Sequence, residues 1–258
     1  ELVIIAVPIL GIREVMEQIA GSLTPGAIVT DTGSTKADVL RWAAETLPAN
    51  VAFVGGHPMA GKTEHGPRAA EATLFEDARW VITPPRHTPP DAVDVVNSLA
   101  KTLGARPQFM DAAEHDAYVA AISHLPMVAA TALFRLTRAS EAWPELSLLA
   151  AGGFRDLTRL AASNPTLWAE ILTANRDEVA LAIEAYAGSL GDLARSIRAE
   201  DRPGVARAER LREAEVEDLH APVGGDHHVR GLEIAMRDAF LVRGIERIRD
   251  LQCDAFDL

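Results

Sequence analysis

Cysteine is all but missing from this 258-residue chain: Cys253 stands alone, so no disulfide can close within it. That usage fits a reducing compartment, and a cytoplasmic location is expected. Positive charge is also scarce, with 25 Lys and Arg against 37 Asp and Glu and a formal net charge of −12. This excludes the broad basic surface that nucleic acid or an anionic membrane requires, but not a small anionic substrate, which needs only a few local cations. No apolar run approaches the roughly 20 residues of a membrane span. The first residues lack the basic leader and cleavage site of a signal peptide. A glycine-rich G-x-G-x-x-G turn is nowhere in the chain, and neither internal repeats nor low-complexity stretches occur. What remains, 48% hydrophobic and 24% charged, is ordinary globular composition, long enough for one large or two medium domains.

The chain opens on a continuous β-branched run, residues 2–7, the pattern of a parallel strand buried on both faces. A domain seldom begins on its central strand, so further residues are expected upstream. Strand and helix patterns then alternate: helix at 12–23, strand at 27–30, helix at 36–47, strand at 51–54, strand at 79–83, helix at 92–103 and strand at 106–110. Alternation of this kind predicts an α/β, doubly wound parallel sheet. After Asp111 the strands stop. Residues 114–138 form a long helical pattern that Pro126 should kink or divide. Helices are expected at 146–151, 154–163, 166–198 and 202–219, with Asn164-Pro165 as a start signal. Their alanine-rich, leucine-striped sequences suggest a helical domain packed against a copy of itself. Three segments follow: 1–110, 111–220, and a tail at 221–258 that carries no motif.

Four places combine chemistry-bearing residues with turn signals. Ala6-Val7-Pro8 closes the first strand. Asp31-Thr32-Gly33-Ser34-Thr35-Lys36 turns from the second strand into a helix, where Ser34 or Thr35 is either an N-cap or a hydroxyl facing a ligand. Gly55-Gly56-His57-Pro58 sets a histidine among turn-forming residues after Val54, expected to be the last residue of its strand. The glycines there allow positive φ or a close backbone approach, and open α/β sheets bind ligands at such strand ends. A polar loop, Lys62-Thr63-Glu64-His65-Gly66, follows. In the helical half stand Ser123-His124-Leu125-Pro126 and, four apart on one expected helical face, Arg155 and Arg159, which are suited either to surface ion pairs or to a bidentate carboxylate clamp. No metal site is expected.

These strings, together with LFED at 74–77, HD at 115–116, GGFRDLTRLA at 152–161, NPTLW at 164–168 and AN at 174–175, resemble the prephenate and arogenate dehydrogenase family of tyrosine biosynthesis. They occur in the family's order across about residues 2–200. The resemblance implies a partial Rossmann-like domain followed by an all-helical dimerisation domain, and a homodimer. It implies NAD(P)-dependent oxidative decarboxylation of prephenate or arogenate, with hydride passing from the ring carbinol carbon to a nicotinamide as CO2 departs. His57 then matches the catalytic histidine, which must be neutral to accept a hydrogen bond from the ring hydroxyl. Ser34 matches the serine that assists it. His124 and Arg159 match substrate contacts, Arg159 as carboxylate clamp with Arg155 beside it. Ala6, Val7, Pro8, Asp31 and Ser34 are expected to line the cofactor, NAD or NADP.

Two departures stand out: Met127 replaces a second histidine common after SHLP, and Thr63 stands where the family often has an acidic residue. The family's G-x-G-x-x-G lies N-terminal to the strand that opens this chain. The 258 residues are therefore expected to bind cofactor weakly or not at all, since no helix N-terminus is encoded for the pyrophosphate. Two other readings remain: another hydroxyacid dehydrogenase with a Rossmann domain and a helical half, or a non-catalytic dimeric protein derived from the enzyme by loss of the cofactor half.

Overall fold

A computed structural model describes residues 1–61 and 69–210. The polar loop at 62–66, the end of the helix expected at 202–219 and the tail at 221–258 lie outside the described residues. The chain divides into two compact units, Glu1–Val179 and Ala180–Leu258.

Five strands, β1 (Leu2–Ile5), β2 (Ile28–Asp31), β3 (Ala52–Pro58), β4 (Arg79–Thr83) and β5 (Arg106–Phe109), make one sheet in the order β1-β2-β3-β4-β5. β1, β2 and β3 are parallel, and so are β4 and β5, but β4 runs antiparallel to β3. The α/β reading therefore holds with one correction: a single antiparallel junction interrupts a parallel sheet. A parallel pair needs a crossover, usually helical, and no α-helix stands among the described residues between β3 and β4.

β3 shows how one strand serves two cores. Successive side chains point to opposite faces, so Phe53 joins Ile5, Ile12, Met16, Val29 and Val39 under α1 (Gly11–Ile19) and α2 (Ala37–Thr46). Val54 instead joins Trp80, Ile82, Val96 and Ala100 under α3 (Pro90–Thr102). Helices thus cover both faces, as in a doubly wound sheet. β3 also continues through His57 and Pro58 rather than ending at Val54. Neither Gly55 nor Gly56 has positive φ; they are needed for closeness. A Cβ on Gly56 would lie 2.6 Å from the Asp31 carbonyl oxygen, and one on Gly55 2.3 Å from Thr83 Oγ1.

Helices follow: α4 (Ala112–Val119), a π turn (Ala120–His124), α5 (Leu125–Arg138), α6 (Trp143–Leu149), α7 (Gly152–Thr158), a 3₁₀ turn (Arg159–Ala162), α8 (Pro165–Ala174) and α9 (Arg176–Arg198). Asp111 caps α4 by accepting from Ala113 N at 2.8 Å, and Asn164 caps α8. Pro126 does not break the long helical pattern, which runs on from Ala112 to Arg138 through the π turn; it sits in the first turn of α5, just after that turn, where a missing N–H costs nothing. The pattern at 166–198 is broken at Asn175, which was not expected. Contrary to the sequence expectation, Ala112–Arg138 is a 27-residue helical stretch long and apolar enough to cross a membrane by length and composition. It nevertheless buries His115, Asp116 and His124. The second unit continues α9 and adds α10 (Arg202–Arg210).

Candidate active site

The site is assembled where β2 and β3 end and α2 and α4 begin. Asp31, the last residue of β2, is fully buried, and its carboxylate accepts from Gly33 N at 2.8 Å and Gly56 N at 3.1 Å. It also pairs with the ammonium of Lys36, which donates to the Gly56 carbonyl at 2.7 Å as well. Lys36 has no exposed surface. Its burial lowers its pKa, opposed by the charges of Asp31 and Asp116. A lysine with both an acceptor and a counter-ion can stay charged where an isolated one could not. This pair ties the turn after β2 to the strand that carries His57. Asp31 was expected to line the cofactor, but its carboxylate is committed inside the protein.

α2 begins without a cap of its own, and neither Ser34 nor Thr35 supplies one. Asp116, 80 positions away on α4, accepts from Lys36 N at 2.7 Å and from Ala37 N at 2.8 Å. A carboxylate across the first N–H groups of a helix satisfies orphan donors and meets the positive end of its dipole. One oxygen of Asp116 also faces His115 Nδ1 at 2.8 Å, and His115 Nε2 faces His57 Nδ1 at 2.8 Å. The two imidazoles meet edge to face with centroids 5.0 Å apart. Burial pushes the pKa of His57 well below its usual value, reinforced by His115, Lys36 and His124, so His57 is neutral at pH 7. Its Nε2 makes no hydrogen bond among the described residues, which leaves it for a ligand.

His124, 2% exposed, ends the π turn. Asn175 Nδ2 lies 3.2 Å from His124 Nδ1 and donates to the Asp116 carbonyl at 2.8 Å. An amide nitrogen can only donate, so Nδ1 of His124 accepts and Nε2 carries the proton. Burial lowers the His124 pKa to about 4. Trp168 stands edge-on, with centroids 6.0 Å apart. The structure therefore brings His57 and His124 to one cluster through three residues whose roles the sequence did not reveal: His115, Asp116 and Asn175. A signal existed. The buried positions Ala112, His115, Asp116 and Val119 follow i, i+3, i+4, i+7, so a histidine and an aspartate occupy the face of α4 that should be apolar.

The remaining expected residues are placed less closely. Ala6, Val7 and Pro8 form an exposed turn at the carboxyl end of β1, held beside β2 by a bond from Thr32 N to the Ile5 carbonyl at 3.1 Å. Ser34 is half-buried, and its hydroxyl has no partner among the described residues. Arg155 and Arg159 are exposed and do not share a helix: α7 ends at Thr158, and Arg159 opens the 3₁₀ turn. Among the described residues, no hydrogen bond or ion pair joins either arginine to the histidine cluster.

A sheet with helices on both faces and titratable groups gathered at its strand ends defines an α/β protein with an appended helical region. Residues 1–108 match the family described as "Prephenate dehydrogenase, nucleotide-binding domain", and residues 111–212 match "Prephenate dehydrogenase, dimerization domain". The prephenate dehydrogenase of Bacillus subtilis is 37% identical over 207 residues, covering 80% of this chain and 56% of that protein. The crystal structure of Synechocystis arogenate dehydrogenase superposes with a TM-score of 0.77 at 29% identity, over 84% of this chain and 78% of the other. That of A. aeolicus prephenate dehydrogenase with hydroxyphenyl propionate and NAD+ gives 0.76 at 30%, over 84% and 75%. The chain belongs to the prephenate dehydrogenase family. It spans little more than half the length of the B. subtilis relative.

Proposed function

We propose that this protein is a dehydrogenase that oxidatively decarboxylates prephenate or arogenate with a nicotinamide dinucleotide. The observation that carries the reading is His57: a neutral imidazole near the carboxyl end of the central strand β3, with one nitrogen bound to the protein and the other without a partner among the described residues. Such a group can accept a hydrogen bond from a ring hydroxyl as positive charge develops on the carbinol carbon. When bound, the nicotinamide supplies the hydride acceptor, and NAD is the favoured form because the A. aeolicus relative was crystallised with NAD+. The exposed turn Ala6–Pro8 and the unpartnered Ser34 hydroxyl fit the wall of a cofactor site; Asp31 shapes that wall from beneath rather than contacting the cofactor with its carboxylate.

Within this reading, Ser34 assists His57 at the hydroxyl. His124, with its proton on Nε2, presents a donor to the substrate, and the exposed Arg159, with Arg155 as the next candidate, holds a carboxylate of the substrate by a charge-assisted fork. Departure of the ring carboxylate as CO2 returns its bonding electrons to the ring, which becomes aromatic, so the protein's task is alignment and polarisation. Residues 1–110 form the cofactor-binding part and 111–220 the substrate-binding and dimerising part of a homodimer. A cytoplasmic location fits the single cysteine.

The test is turnover of each substrate with each cofactor, following reduced nicotinamide and released CO2 together. One CO2 per hydride transferred is expected with prephenate or arogenate. Hydride transfer without CO2 would favour the other hydroxyacid dehydrogenase, and no turnover of either substrate would favour the non-catalytic dimer.

A further inference from the structure

The mechanism so far asks only that His57 be neutral, yet a neutral imidazole has two tautomers and only one of them can do the work. From the bonding around His57, the structure assigns to His115 and Asp116 the job of choosing that tautomer: they are positioning residues that keep the proton of His57 on Nδ1. This rests on the proposed reading of His57 as the acceptor of a substrate hydroxyl.

Each proton between α4 and β3 has only one place to sit. Asp116 receives the backbone N–H groups of Lys36 and Ala37 at 2.7 and 2.8 Å, so both of its oxygens are acceptors anchored to the start of α2. An ionised carboxylate has no hydrogen to offer. The nitrogen of His115 that faces it at 2.8 Å, Nδ1, must therefore carry hydrogen. In neutral imidazole the other nitrogen is then a bare acceptor. That nitrogen, Nε2, lies 2.8 Å from His57 Nδ1, which must be the donor of this second bond. His57 is left with a lone pair on Nε2, the nitrogen that has no partner among the described residues. The reverse tautomer would set a lone pair of His57 against a lone pair of His115 and would offer the substrate hydroxyl a hydrogen where an acceptor is needed.

The arrangement has a second consequence. The group that selects the tautomer is the same carboxylate that caps α2, and α2 follows the turn bearing Ser34 and Lys36. Lys36 in turn donates to the Gly56 carbonyl, one residue before His57. The ring of His57 and the backbone that carries it are therefore located by one anchor, and Asp116 is what joins them. His124 is kept apart from the relay in the opposite state, with hydrogen on Nε2, because Asn175 donates to its Nδ1. Two histidines of one cluster are thereby prepared as an acceptor and a donor, each by a neighbour that can play only one part.

Nitrogen-15 NMR of the chain labelled at histidine reads these states without reference to activity. We expect hydrogen on Nδ1 of His57 and His115 and on Nε2 of His124 at neutral pH. The companion variants are His115→Phe, which removes the acceptor, and His115→Gln, whose amide can again accept from His57 and donate to Asp116. In the Phe variant the Nδ1–H signal of His57 should give way to a tautomer mixture, and kcat should fall at least about tenfold, the usual cost of losing an orienting partner, with KM little changed. The Gln variant should recover part of both. Hydrogen on Nε2 of His57 in the wild type would overturn the assignment whether or not the variants fold, as would a Phe variant that keeps both the Nδ1–H tautomer and wild-type kcat. Wild-type protein with the expected tautomers but no turnover of prephenate or arogenate would instead count against the dehydrogenase reading and leave the relay standing.

Discussion

His57 and His124 are both kept neutral chiefly by burial, and the same burial makes them sensors of acid. His124 has a native pKa of about 4 against about 6.5 when unfolded, so the native state resists its protonation. Its contribution to stability is complete above pH 6.5 and is lost as pH falls through 6.5 toward 4. At 1.36 kcal/mol per pH unit, that loss amounts to about 3 kcal/mol. Thermal denaturation of wild type and His124→Gln across this range should show the wild type losing stability more steeply. Parallel curves would mean that His124 is not desolvated in the native state. His57 was legible from its glycine-flanked setting, and the structure assigns those glycines to strand packing rather than to positive φ. Lys36 was legible only as a turn residue and Asp31 only as a turn and expected cofactor residue, because a buried ion pair leaves no periodic trace when its partners are five positions apart on a turn.

At the scale of elements, helix and strand existence was clear where apolar periodicity was strong, and breaks were clear where proline made them. Asn164-Pro165 announced the start of α8, whereas Pro126 ends no helix: the stretch from Ala112 to Arg138 continues past it, through the π turn at Ala120–His124. The break at Asn175 was hidden, since the apolar pattern continues across it and the reason for the break is tertiary: the Asn175 side chain reaches His124 and the Asp116 carbonyl. The end of β3 was misplaced because Gly55, Gly56 and Pro58 resemble a turn, whereas in the sheet they pair with β4 from Thr83 to Trp80. The helical region carries a further sequence-derived expectation. Ile122, Leu136, Leu148, Leu149 and Leu157 of the first unit are 59%, 75%, 85%, 79% and 66% exposed. Apolar side chains left so open on several helices are what a subunit interface covers. Sedimentation equilibrium at micromolar concentration should therefore give twice the chain mass, and a monomer would contradict the homodimer.

For the molecule as a whole, the sequence carried the α/β-then-helical order because composition and periodicity change abruptly after Asp111. It did not carry the antiparallel turn of β4, which depends on how the chain returns to the sheet edge, nor the His57–His115–Asp116 relay, which joins residues 58 and 59 positions apart. Ordered motifs indicated the family, and the proposed chemistry places one demand on the fold: a neutral acceptor held near the carboxyl end of β3. Steady-state kinetics of His57→Asn with prephenate or arogenate address that demand most directly. Loss of a single hydrogen bond made in the transition state typically costs about 10²–10³ in kcat, and a group that acts there rather than in ground-state binding leaves KM similar. The account predicts that pairing of lost turnover and retained affinity. A His57→Asn enzyme with wild-type turnover would contradict it.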